Sequence, residues 1–144
     1  MTETDYEFLD RLDAVGLREK REKEGVETHI GLMVNDCHAR AVKAGWFLDP
    51  QTGESIERNV GEMLALIHSE VSEALEGYRR SLHDKHLPAR LSIEVELADV
   101  IIRVFDLAGY LKLDLGGAFV EKLDYNQIRA DHRLDARKNG GKKF

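Results

Sequence analysis

The stretch SIEVELADVIIRVFDLAGYL, residues 92–111, constrains this chain more than any other. Wound as a helix at about 100° per residue, it is apolar around most of its circumference and polar along one stripe. That stripe contains Glu96, Asp99, Arg103, Asp106 and Tyr110, and only Glu94 is charged elsewhere in the helix interior. Such a helix must be enclosed on most sides, so its polar stripe either meets water or lines an internal polar site. One four-helix subunit can hardly cover it all round. The expected fold is therefore an all-α antiparallel helical bundle completed by homo-oligomerisation.

The rest of the chain agrees with helices. Apolar residues recur mainly at steps of three and four, and glycine and proline gather at a few breaks. Helices are expected near 27–44, 56–80, 89–111 and 114–133, with a turn-rich loop GWFLDPQTGES between the first two. In the second of these, Val60, Leu64, Ile67, Val71, Ala74, Leu75 and Tyr78 share one face. Pro88 can stand at the start of the third helix but not within it. Asp114 suits an N-cap, although Gly116 and Gly117 weaken the helix it opens. The expected organisation is a charged extension over 1–26, one domain over 27–133 and a basic tail over 134–144.

Composition removes several classes of function. With 144 residues, 42% apolar and 33% charged, the chain suits a single soluble domain. Its early acidic residues do not resemble a secretory signal, and no run approaches the ~18 apolar residues of a membrane span, so a cytoplasmic location without membrane contact is expected. Cys37 is the only cysteine, which excludes an internal disulfide and suits a reducing compartment. A net charge of −6 argues against binding polymeric nucleic acid, which needs a basic surface. A small anion remains compatible with the basic residues that follow Arg129.

Four carboxylates stand out. Glu70 and Glu73 are three residues apart, on adjacent turns of the second helix, and Glu70 falls between Met63 and Leu66 inside the apolar sector while Glu73 sits at its border. A carboxylate aimed at a core needs a cation or a hydrogen-bonding partner, because burying it alone favours protonation. Glu96 and Asp99 form a second such pair on the next helix. Both pairs lie about ten residues from the connector between the helices, so antiparallel packing sets them at similar heights. Hard divalent cations prefer this all-oxygen donor set, and phosphates complete their coordination. The plain alternative is four solvated surface acids, or partners for Arg79, Arg80 and Arg103. For Arg103 in particular, an ion pair within its own helix, with Asp99 or Asp106, competes with a phosphate contact.

The spacing E-x-x-E (Glu70-Val-Ser-Glu73), twenty-two residues, then E-x-x-D (Glu96-Leu-Ala-Asp99) resembles the MazG-like branch of the all-α nucleotide pyrophosphatases, which include dimeric dUTPases and phosphoribosyl-ATP pyrophosphohydrolases. The flanks RNVGEMLALIHSEVSEALEGYR, ELADVIIRVFDLA and EKLDYNQIR carry the likeness over roughly His38 to Phe144. The resemblance implies hydrolysis of a nucleoside triphosphate, deoxy or modified ones included, between the α and β phosphates to the monophosphate and pyrophosphate. It implies magnesium, or manganese in its place, on Glu70, Glu73, Glu96 and Asp99, and a homodimer or homotetramer. Lys122 and Asn126 match the family's K-x-x-x-N, a substrate-contacting pair whose face Arg129 continues.

Among the remaining residues, Glu73 is the candidate to orient or deprotonate the attacking water. Trp46 offers a ring for stacking on a base, against the plainer role of closing the bundle with Phe47. His83 and His86 lack partners arranged for zinc and suit the surface. No phosphate-binding P-loop is present. Two other classes of answer stay open: a helical oligomeric interaction protein whose buried acids specify pairing, and a nucleotide sensor with little catalysis. Metal dependence separates the first from an enzyme.

Overall fold

A computed structural model describes residues 23–129 and Lys138 of the chain. These residues are all-α: helices α1 (Lys23–Lys43), α2 (Val60–Arg79), α3 (Ser92–Tyr110) and α4 (Leu115–Ile128), and two isolated β-bridges rather than any strand. The extension up to residue 22, the last helix beyond Arg129 and the basic tail other than Lys138 lie outside the described residues. Two compact units are present, one of residues up to Gly31 together with those from Asp114, the other Leu32–Leu113. Their boundary at Gly31 falls within α1.

Helix α2 starts four residues later than the apolar pattern predicts. Asn59 caps it, its side-chain oxygen accepting from the N–H groups of Gly61 and Glu62 at 2.8 and 3.2 Å. Residues 56–58 are tied instead to the preceding loop and to α3: the Ile56 N–H donates to the Phe47 carbonyl, and the Arg58 N–H to the Tyr110 hydroxyl. Helix α3 also begins late, at Ser92, because Pro88 to Arg90 form a turn closed by the Arg90 N–H on the Leu87 carbonyl at 2.8 Å. Leu91 has no side-chain acceptor to cap the new helix. Glu94 reaches back to the Leu91 N–H at 3.2 Å in its place.

Helices α2 and α3 pack antiparallel. Pairings run from Gly77 with Ser92, through Glu70 with Arg103, to Arg58 with Tyr110, so one chain descends as the other rises. At the connector, Leu82 joins both ends: its N–H donates to the Gly77 carbonyl and its carbonyl accepts from the Ser92 N–H. A small core of Phe47, Met63 and Leu107 is flanked by Ala41, Val60, Ile67 and Tyr110.

The inner face of α2 differs from the one its apolar residues suggest. Met63, Glu70, Ala74 and Gly77 are buried, whereas Leu64, Val71, Leu75 and Tyr78 are exposed, Tyr78 at 68%. No large side chain among the described residues falls below 2% exposure.

In the unit that holds α4, Asp114 caps that helix by accepting from the Gly117 N–H at 2.9 Å. The glycines expected to weaken it have a use. A Cβ on Gly116 would stand 2.6 Å from the Glu27 carbonyl oxygen, so α4 passes α1 closer than any side chain allows.

Gly77 makes the same kind of approach between α2 and α3, where an added Cβ would meet the Ser92 Oγ at 2.5 Å and its Cβ at 2.8 Å. Gly77→Ala gains about 1 kcal/mol of helix propensity but loses about 1–3 kcal/mol to overpacking. A net fall in melting temperature of roughly 2–5 °C is expected in thermal unfolding, and adding Ser92→Gly should recover part of it.

Candidate functional site

Met63, Ile67, Glu70, Ala74 and Gly77 recur at steps of four and three along α2, which places Glu70 at the seam with α3. Only 7% of it is exposed. From the facing side α3 contributes Glu96 and Asp99, and one carboxylate oxygen from each of the three acids lies within 4.8 Å of the others. Arg103 closes the group. Its Nε donates to Glu70 Oε1 at 2.7 Å, and its Nη2 lies 2.7 Å from the same oxygen as an ion pair.

The cost of gathering these charges appears in their proton affinities. Glu96 is pushed up from the ordinary carboxylate range, first by burial, then by repulsion from Glu73 and Glu70, a hydrogen bond with Glu70 and the charge of Asp99. Asp99 is pushed up by burial and by Glu70, is pulled down by Arg103, and feels Asp84 of the connector as a smaller upward push. A cation held among the three would remove that repulsion. The donor set consists of carboxylate oxygens alone, with no nitrogen or sulfur, and so fits a hard divalent ion such as magnesium or manganese. Glu73 is exposed and stands outside the close trio, but it lies near enough for its charge to act on Glu96.

Beside the acids is a cavity of about 650 Å³, within the size range of small-molecule sites. Asp99 and Arg103 line it, with Trp46, Arg40, Arg58 and Asp106; Met33, Met63, Leu66 and Ile102 supply apolar wall. Two adjacent aromatic residues divide their roles here. Phe47 is buried, its ring edge-on to His38 and tilted against Tyr110 at 5.1 and 5.2 Å between centroids, whereas Trp46 is 65% exposed. Arg58 fixes the loop that carries them by donating to the Trp46 carbonyl at 2.6 Å. Burial pushes the thiol of Cys37, also on the wall, upward and so away from the reactive thiolate.

The substrate contacts expected on α4 belong to the other compact unit. There Lys122 Nζ lies 4.7 Å from the Tyr125 ring centroid and the Arg129 guanidinium 6.0 Å from the same ring. The Asn126 carboxamide oxygen is buried with no hydrogen-bond partner among the described residues. His83 and His86 are exposed in the connector, where the His83 ring is hydrogen-bonded to the Pro88 carbonyl.

Arg103 does not bond within its own helix to Asp99 or Asp106; it crosses to Glu70, which is the plain alternative of an acid serving as an arginine's partner. Asp106 instead meets His38 Nδ1 at 2.8 Å. Their place on the single polar stripe of α3 was the available signal, since every member of that stripe needed a partner. The chain matches no protein-family model, no curated protein and no solved structure.

The raised carboxylates have a consequence for stability. An acid whose proton is held more tightly in the folded than in the unfolded chain supports the fold fully below about pH 4, and that support is lost as pH rises through its raised value. Glu96→Gln removes one such group. In metal-free buffer its melting temperature should exceed that of the wild type by a few degrees near neutrality, and the two curves should converge as pH falls to about 4.

Proposed function

We propose that this chain is a MazG-like, magnesium-dependent nucleoside triphosphate pyrophosphohydrolase, acting in the cytoplasm as a homodimer or homotetramer. One observation carries the reading: Glu70, Glu96 and Asp99, from two helices, converge beside a cavity that Asp99 shares with Arg103 and Trp46. The substrate is a nucleoside triphosphate, deoxy or modified ones included, and the products are the monophosphate and pyrophosphate.

Glu70, Glu96 and Asp99, joined by Glu73, would hold magnesium or manganese; bound there, a divalent cation would offset the negative charge that builds up on phosphoryl oxygens. Glu73, exposed beside the trio, orients the attacking water and accepts its proton. Trp46 presents its ring to the base, with Met33 and Leu66 as apolar wall. Arg40, Arg58 and Arg103 bring guanidinium groups to the same cavity for the phosphates. Lys122, Asn126 and Arg129 remain substrate contacts on the strength of the motif resemblance.

Self-association is supported by the apolar residues that stand exposed among the described residues. Leu64, Val71, Leu75 and Tyr78 make a stripe along the outer side of α2, and Leu97 and Ile101 are exposed on α3. A second copy covers them. Sedimentation at micromolar concentration should report a dimer or tetramer, and Val71→Asp with Leu75→Asp should shift it toward monomer; a monomeric wild type would remove this part of the proposal.

The activity is tested with a panel of canonical and modified nucleoside triphosphates in magnesium, followed by pyrophosphate release. Wild type should release pyrophosphate and not orthophosphate. Glu70→Ala, Glu73→Ala and Asp99→Ala should each lower kcat/KM by about 100-fold or more, and Glu70→Ala and Asp99→Ala should also blunt the rise in melting temperature that magnesium gives the wild type. An adaptor would be indifferent to both metal and substitutions.

A further inference from the structure

Arg103 stands where it competes with a cation. Its Nε hydrogen bond and its Nη2 ion-pair contact both fall on one oxygen, Glu70 Oε1, at 2.7 Å. A carboxylate oxygen has two in-plane lone pairs; the hydrogen bond takes one, and the second guanidinium nitrogen, at the same distance, crowds a metal's approach to the other. A guanidinium held this close also repels a divalent ion in the same trio. Yet one positive charge is too little for three carboxylates that each bring an oxygen within 4.8 Å of the others.

The two partners differ in freedom. Glu70 is fixed in the packed seam, its side chain 9% exposed, whereas the Arg103 side chain is 41% exposed and lines the cavity one turn beyond Asp99. If a cation enters, it is the arginine that moves.

We infer that Arg103 is an exchangeable counter-ion of the acid cluster: it neutralises Glu70 until a divalent cation arrives, then yields Glu70 and carries its guanidinium to the phosphates in the cavity. The second half rests on the proposed triphosphate reading. Exchange makes the sites linked, because a cation that frees the arginine strengthens the anion site, and an anion that captures the arginine strengthens the cation site by the same factor. It also separates Arg103 from a purely structural ion pair, whose loss would loosen the cluster and weaken cation binding.

Calorimetric titration of manganese into the full chain without nucleotide, in wild type, Arg103→Lys and Arg103→Gln, provides the test. Arg103→Gln should bind manganese about 5- to 100-fold more tightly than wild type, the usual span of such couplings, with Arg103→Lys between them, while its KM for a hydrolysed triphosphate rises. Unchanged or weaker manganese binding in a folded Arg103→Gln overturns the exchange. A wild-type measurement stands beside it in case that variant does not fold: the Arg103 Nε–H resonance should move as magnesium saturates the protein, and a resonance that stays put overturns the proposal equally. Both readouts are independent of turnover. A wild type that binds metal, shifts this resonance and hydrolyses no triphosphate would therefore remove the pyrophosphohydrolase reading and leave the exchange standing; normal hydrolysis with an unmoved arginine would do the reverse.

Discussion

Everything about the seam between α2 and α3 follows from a negative charge placed inside it. Taking a carboxylate out of water costs several kcal/mol, and removing the partner of a buried ion pair typically costs about 3–5 kcal/mol. Glu70 therefore cannot be treated as a surface acid that happens to face inward. It demands the Arg103 guanidinium across the interface, and it raises the cost of ionising Glu96 and Asp99 beside it. The helices could pack more cheaply with a leucine at position 70. The presence of the acid instead sets up a cluster whose charge is only partly cancelled by the residues around it.

Such a cluster keeps its geometry only if the helices cannot slide. The close approach of Gly77 to Ser92 and the two hydrogen bonds through Leu82 pin the connector end, and the Arg58 N–H on the Tyr110 hydroxyl pins the other. Glu70 and Asp99 lie between these fixed points. A site carried on two helices tied at both ends holds its groups more rigidly than one carried on loops, which matters when carboxylate oxygens must stay within a few ångströms despite mutual repulsion.

How much of this could be read beforehand depended on whether a signal was local. The helices, the inward aim of Glu70 and the equal heights of the two acid pairs came from periodicity and connector length, which are properties of neighbouring residues. What failed was partnership at a distance. Leu64 and Val71 look as fit for a core as Met63 and Ile67, because a period of 3.6 marks an apolar face without saying whether it meets this chain or another molecule. Arg103 has acids one turn to either side as well as Glu70 across the seam, and spacing alone could not choose among them. His38 and Asp106 are separated by 68 positions, and nothing local joins them. Likewise, Trp46 and Phe47 are adjacent and similar, yet only the packing of Phe47 against His38 and Tyr110 decides which ring enters the core.

The polar stripe of α3 left one question open, whether it faced water or lined something internal. Its members settle that by their partners: Glu96 and Asp99 join Glu70, Arg103 bonds to Glu70, Asp106 to His38 of α1, and Tyr110 to the backbone at Arg58. All five are part-buried, and Asp99, Arg103 and Asp106 line one cavity. The stripe thus divides by function along its length. Its later part, through Asp106 and Tyr110, ties α1 and the loop after it onto α3 with ordinary satisfied bonds. Its earlier part holds more negative charge than its one arginine can match. A helix otherwise apolar all round has no need of such an imbalance for folding, and that excess charge is the feature on which the proposed cation site rests.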